Sequence, residues 1–183
     1  MNKLFTLRSL TIFSFVIFLL PFMRTCSDES IRFSVKEQVE INESTPYENN
    51  DFIKNENAQK LISDKKEIYT FNFYTLAVVV FDGFSWNDAS SVNDFYAFLG
   101  FTIILFLSIF ILFFAFKNNF KIISLISSAN LLILFISTLI LWLNKTIESF
   151  SQFKIGYFLF VLNTFLIVYL SRKLQNEKDD LKI

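Results

Sequence analysis

The sequence predicts a membrane protein, mainly α: a four-transmembrane-helix bundle with a small extracytoplasmic α+β insert between helices 1 and 2. Three observations carry this. Four apolar runs, Leu4–Met23, Phe95–Phe116, Phe120–Leu143 and Ile155–Leu170, occupy much of the 183-residue chain, and crossing a hydrocarbon core of roughly 30 Å takes about 20 such residues. Basic side chains gather in the short segments that flank the runs. One long polar stretch separates the first run from the other three. The expected division is therefore 1–23 as a cytoplasmic N-terminus with the first span and 24–94 as an extracytoplasmic acidic domain. Residues 95–171 hold spans two to four (95–116, 120–143, 155–171), and 172–183 form a cytoplasmic tail.

The first run opens the chain behind Lys3 and contains Arg8. A basic start followed by an apolar stretch also describes a signal peptide, but cleavage requires small residues before the cut, and Met23-Arg24-Thr25 supplies a poor site. Cys26 followed by Ser27-Asp28-Glu29 is the arrangement of a lipidated cysteine with an acidic sorting signal, yet Arg24 and Thr25 are not the small residues expected before it. An uncleaved anchor is the favoured reading, with cleaved and lipidated forms as alternatives.

The polar insert is patterned. Ile31, Phe33, Val35, Val39 and Ile41 alternate with polar residues, broken only by Glu37, which predicts a strand over 31–41. Pro46 offers a helix start, and Glu48–Lys66 reads as a solvated helix with Phe52, Ile53, Leu61 and Ile62 as its buried contacts. Tyr69, Phe71 and Phe73 predict a second strand over Tyr69–Tyr74, pairing antiparallel with the first. Thr75–Phe81 is too short to span and ends at the turn signal Asp82-Gly83; it reads as a continuing strand or a segment on the membrane surface. Ser90, Ser91, Asn93 and Asp94 are N-cap candidates for the second span.

The second apolar run carries no charge, and the third carries only Lys121 at one end. No Asp, Glu, Lys or Arg is expected at hydrocarbon depth, which weighs against proton-coupled transporters, voltage sensors and pumps. Only three glycines and two prolines occur, which weighs against broken-helix transporter folds, and no two glycines form a G-x-x-x-G pair. The polar residues that do lie in the runs form a seam: Ser124, Ser127, Ser128, Asn130, Ser137 and Thr138 on the third span, Asn163 and Thr164 on the fourth, and Ser108 on the second. Small hydroxyl residues and amides at such positions draw helices together, so the seam reads first as glue, then as a polar ligand path or an oligomer contact. Ser108, Asn130 and Asn163 each lie nine residues from the nearest flanking cation, Lys117, Lys121 and Arg172. At about 13 Å from the boundary they are near mid-membrane, and Asn130 and Asn163 are expected to face each other, directly or through Ser108, Ser127 or a water.

Charge sets the expected orientation. Net charge is zero, but residues 24–96 hold seven basic and thirteen acidic side chains. Lys3, Arg8, Lys117, Lys121, Arg172 and Lys173 fall on one side when four segments cross, and by the positive-inside rule that side is cytoplasmic. Trp86, Tyr96, Trp142 and Tyr157 fall near the opposite ends, where aromatic side chains favour the headgroup region.

Several function classes are excluded. The chain has no histidine and one cysteine, so it offers no His/Cys zinc or haem set, no Ser-His-Asp or Cys-His pair and no intramolecular disulfide. Asp82, Asp88 and Asp94 recur at intervals of six, which does not match an EF-hand loop. Asn42-Glu-Ser44 and Asn144-Lys-Thr146 match the glycosylation sequon. The 26 phenylalanines fit an AT-rich coding bias, with abundant Ile, Asn and Lys, better than a binding surface. No catalytic, cofactor-binding or metal residue is assigned, and no cofactor. The expectation is a small, non-enzymatic integral membrane protein of the bacterial inner membrane. It would act by protein–protein interaction through its acidic extracytoplasmic domain, as an accessory subunit or an immunity or envelope-stress protein. The alternative is a small transporter or channel subunit with a Ser/Asn-lined path between helices 2–4. The expected partners are the lipid bilayer and another envelope protein or a homo-oligomer, with no role for nucleic acid.

Overall fold

A computed structural model describes residues 3–26, 31–36, 51–81 and 89–180, with the backbone alone described at 51–58 and 89–93. In chain order these form α1 (Lys3–Ile17), β1 (Pro21–Arg24), α2 (31–36), α3 (Asp51–Ile68), β2 (Thr70–Asn72), α4 (Phe73–Val78), α5 (Ala89–Phe116), α6 (Phe120–Leu143) and α7 (Ile155–Asp180). Three helices contain stretches long and apolar enough to cross a membrane: Asp94–Phe116, Phe120–Leu143 and Ile155–Asp180. The protein is therefore an integral membrane protein of mainly helical architecture, with a small two-stranded sheet.

The three long helices follow the apolar runs, and their ends depart from expectation for physical reasons. Helix α7 continues past the last apolar residues to Asp180, because Arg172–Asp180 contains no helix breaker. Helix α5 begins at Ala89, so Ser90, Ser91, Asn93 and Asp94 lie in its first turns rather than at its cap. Between α5 and α6 the chain reverses through Asn118 at φ 55°, a left-handed conformation that Asn tolerates.

The first apolar run does not form one helix. It gives 15 helical residues, about 22 Å of rise, then a turn and the extended Pro21–Arg24. Pro21 is the cause: it has no N–H to donate and disfavours helix at the residue before it. Even so, this segment lies along α7 for nearly the whole of that helix. Lys3 pairs with Glu177 at one end. At the other, Met23 bridges Phe153 and Lys154 N–H donates to Phe22 O at 3.0 Å.

The sheet joins different partners from those expected. β1 pairs antiparallel with β2, in the register Pro21↔Asn72, Met23↔Phe71 and Arg24↔Thr70. Residues 31–36, predicted as strand, are helical. Ile31 and Val35 are buried while Phe33 is 70% exposed; a strand would have put all three on one face, whereas the i, i+4 spacing of a helix groups only the first two. Residues 37–41 lie outside the described residues. The strand expected over Tyr69–Tyr74 shrinks to three residues, because the Asn72 side chain accepts from Thr75 N–H at 2.9 Å and caps α4. Thr75–Phe81 is accordingly not a strand. It is the end of α4 and one turn of 3₁₀ helix, held to α5 by Thr102 Oγ1 donating to Ala77 O at 2.6 Å.

Two apolar clusters fill the interior. The larger, towards β1 and β2, contains Ile17, Phe18, Phe22, Phe73, Phe101, Ile104, Leu134 and Phe160. Phe73 is its hub, stacked on Phe18 at 4.1 Å and in ring contact with Phe22, Phe101 and Phe160. The smaller lies towards the α5–α6 turn and contains Leu7, Ile111, Ala115, Phe120, Ile123 and Ile167.

Candidate functional site

The buried polar side chains form a belt between these two clusters, and each of the four helical segments contributes to it. On α1, Thr11 and Ser14 lie between Leu7 and Ile17; on α5, Ser108 lies between Ile104 and Ile111. On α6, Ser127 and Asn130 lie between Ile123 and Leu134; on α7, Asn163 and Thr164 lie between Phe160 and Ile167. The sequence reading missed Thr11 and Ser14. The signal was present as two hydroxyl residues at i, i+3 inside the first apolar run.

Both belt asparagines are buried, but they do not bond to each other as expected. Asn130 Nδ2 donates to Ser108 Oγ at 3.3 Å, which ties α6 to α5 at equal depth. Asn163 Nδ2 donates to Ser14 Oγ at 2.8 Å and to Leu10 O at 3.1 Å, which ties α7 to α1. The reason is the first segment: it brings the Ser14 hydroxyl, which itself donates to Leu10 O at 3.3 Å, and that same carbonyl to α7, where both accept from the Asn163 NH₂. Ser108 and Thr164 also donate to the carbonyls of Ile104 and Phe160, four residues back. Among the described residues, Ser127 Oγ and the Oδ1 atoms of Asn130 and Asn163 are buried with no hydrogen-bond partner. An unmatched acceptor in so dry a place costs about 1–3 kcal/mol, which makes these three atoms the most polar-seeking points of the interior.

The other seam residues do separate work. Ser137 meets α5 at Gly100, where an added Cβ would fall 1.9 Å from Ser137 Oγ. This is a close helix approach without any G-x-x-x-G pair. Thr138 donates to Leu134 O at 2.7 Å and lies 3.4 Å from the Tyr157 hydroxyl. Ser124 accepts from Arg172 Nε at 3.3 Å, and Ser128, half-buried, lines a groove beside α7.

The predicted basic groups gather at one end of the bundle. Arg8 donates to Ala115 O at 3.3 Å and to Asn118 Oδ1 at 3.1 Å, Arg172 reaches Ser124, and the Lys178 ammonium lies 5.9 Å over the Phe120 ring. The opposite end is closed by a polar knot on Gln152, which is fully buried. Its Oε1 accepts from the N–H groups of Glu148 and Ser149 at 2.7 and 3.0 Å. Its Nε2 donates to Arg24 O and Thr146 O, both at 3.1 Å. One side chain thus satisfies backbone groups of both the α6–α7 connection and β1, and keeps non-helical backbone paired close to the membrane. Asp94 stitches the same end by accepting from Asn144 Nδ2 at 2.9 Å and Thr146 Oγ1 at 3.1 Å. The two side chains of the Asn144 sequon are therefore engaged internally. Asp82, Asp88, Trp86 and the Asn42 sequon lie outside the described residues.

Beyond this cap the chain turns polar. The described side chains of α3 are largely exposed, including Leu61 and Ile68, contrary to the expectation that Leu61 is buried. Lys65 Nζ donates to Ser34 Oγ of α2 at 3.0 Å. Next to β1, Cys26 is a half-buried free thiol; burial pushes its pKa up, and nearby Arg24 partly opposes that shift. Among the described residues no group of three or more His, Cys, Asp or Glu is placed to hold a metal ion. No protein-family model, curated protein or solved structure matches this chain.

Proposed function

We propose that this is a small, non-enzymatic membrane protein that acts by binding another envelope protein through its acidic extracytoplasmic region. The observation that carries the reading is α3: a polar helix whose described side chains are largely exposed, with Leu61 and Ile68 exposed on one face, two turns apart. Its C-terminal end leads into β2, which pairs with β1, and Arg24 O of β1 accepts from the buried Gln152. A helix joined to the sheet at one end, with two exposed apolar side chains, is suited to docking, and helix-in-groove recognition reads anchors at such spacings. In the same reading the Lys3–Met23 segment crosses the membrane beside α7 and is retained. It supplies Ile17, Phe18, Phe22 and Met23 to the larger cluster and Ser14 to Asn163, all of which cleavage would remove. Both termini are cytoplasmic in a bacterial inner membrane, supported by the gathering of Lys3, Arg8, Lys117, Lys121, Arg172 and Lys173 at one end.

The alternative of a polar transport path draws support from the three buried acceptors without partners. Against it, apolar clusters flank the belt on both sides, and a conducting path needs a lining that stays polar through the membrane. The test is a photo-crosslinking amino acid placed at Leu61 or Ile68 in cells. The proposal expects one discrete heterologous adduct, lost on Ile68→Glu when the probe is at 61 and on Leu61→Glu when the probe is at 68. Absence of any adduct at both positions overturns it, and an adduct only with a second copy of the chain replaces it with self-association.

A further inference from the structure

We propose that the groove between the basic ends of α6 and α7 binds one anionic phospholipid, with its phosphate at Arg172 and Lys173 and an acyl chain along Leu131, Phe165 and Val168. The groove encloses about 550 Å³, within the roughly 300–1,000 Å³ of ordinary ligand sites. Its lining is divided along the helix axis. Phe165 and Val168, with Leu131 across from them on α6, form an apolar lower half. Arg172, Lys173 and Asn176, farther along α7 by one to two turns, form a polar upper half. From Phe165 to Asn176 the helix rises about 16 Å, enough to hold a headgroup at one end and the beginning of an acyl chain at the other. Phe165 is more than half exposed, so the groove opens sideways on the surface that faces lipid.

The charge fits only an anion. The upper half carries two cations and no carboxylate, and among the described residues neither Arg172 nor Lys173 is in an ion pair. Arg172 is also positioned. Its Nε donates to Ser124 Oγ at 3.3 Å, which holds the guanidinium against α6 and leaves its terminal nitrogens for a planar, two-pronged phosphate contact. Arg172 and Lys173 are the first charges after the apolar stretch of α7, so they stand at headgroup depth. Basic pockets between membrane helices at this level suit anionic headgroups. The basic end also carries Lys117, Lys121 and Lys178 beside Asn118 and Gln175. That second depression contains Asp179 and lacks an apolar half, so it offers a lipid neither a pure positive field nor a seat for its chain.

The experiment is native mass spectrometry of the full chain in detergent, titrated with phosphatidylglycerol, with phosphatidylcholine and with glycerol 3-phosphate. The expected result is retention of one phosphatidylglycerol, weaker binding of phosphatidylcholine, and no binding of the soluble headgroup over the same range. Each cation near the surface is worth about fivefold, so Arg172→Gln/Lys173→Gln should weaken phosphatidylglycerol binding about 25-fold. The matched variant Lys117→Gln/Lys121→Gln should change it less than about twofold. Because Arg172 also bonds to Ser124, Lys173→Gln/Asn176→Ala serves as a second reading that leaves that bond in place, and it should also weaken binding. Val168→Phe keeps every charge and narrows the apolar half; it too should weaken binding. The proposal is overturned by equal retention of the two lipids, by equal losses in the two charge variants, or by Val168→Phe binding like the parent. Tight binding of glycerol 3-phosphate overturns it in favour of a soluble anion.

Discussion

Gly156→Ala tests whether the first segment really packs along α7. On helix propensity alone the change should stabilise, since Ala is favoured over Gly by up to about 1 kcal/mol. The tertiary structure reverses the sign. A Cβ at position 156 would fall 2.8 Å from Pro21 O, 3.2 Å from Leu20 O and 3.3 Å from Leu20 Cβ. The first contact is some 0.6 Å inside the ordinary limit of 3.4 Å, and the atom it meets is backbone. Pro21 cannot retreat freely, because β1 is paired to β2 on one side and Phe22 O accepts from Lys154 N–H on the other. Overpacking of this kind costs about 1–3 kcal/mol. Set against the full propensity gain, the net loss is up to about 2 kcal/mol, or up to about 8 °C in a chain of this size. Thermal unfolding in detergent, followed by loss of the monodisperse elution peak, measures it. Gly100→Ala is the control, since it meets a side chain, Ser137 Oγ, and Ser137→Ala should recover most of its loss. A rise in Tm for Gly156→Ala would mean that Leu20 and Pro21 do not lie on α7, and the placement of the first segment would fall.

Phe73→Ala removes the ring that joins Phe18, Phe22, Phe101 and Phe160 and should destabilise by about 3–5 kcal/mol; a loss below about 1 kcal/mol in chemical denaturation would show that these rings do not share one cluster. Asn130→Leu and Asn163→Leu each remove an interhelix amide bond worth about 0.6–2 kcal/mol together with an unmatched acceptor that costs about 1–3 kcal/mol, so neither should lower Tm by more than the equivalent of about 1 kcal/mol. Because the two amides serve different helix pairs, the double variant should be additive within about 0.5 kcal/mol, and a larger coupling would show that the belt is one network. In a Cys26→Ser background, a cysteine placed at residue 50 should react with an impermeant maleimide in intact cells, and one at residue 178 should not; the reverse pattern inverts the topology. Cys26 itself should alkylate more slowly in the native protein than after denaturation at the same pH. Its raised pKa lowers the thiolate fraction, so the native rate should climb at a higher pH than the unfolded one; coincident pH profiles would contradict the burial.

The three long helices were legible because their signal is local: about twenty apolar residues exclude water whatever lies beside them. The grouping of basic residues at one end of the bundle was legible for the same reason, since charges flank each run. Burial of Asn130, Asn163, Ser108 and Ser127 also followed from depth along single helices. What the residues alone did not decide was pairing. Ile31, Phe33 and Val35 satisfy alternation, yet Ile31 and Val35 equally satisfy one helix face, and only the exposure of Phe33 separates the two. Strand β2 takes Pro21–Arg24 as its partner rather than 31–41, because Pro21 ends α1 early and leaves extended backbone that must find hydrogen bonds. Gln152, fully buried in a connecting loop, and the separate partners of Asn130 and Asn163 could not be read from one dimension. Each depends on which helix stands next to which, and that is set by the summed packing of Phe18, Phe22, Phe73, Phe101 and Phe160, residues drawn from separate elements along the chain.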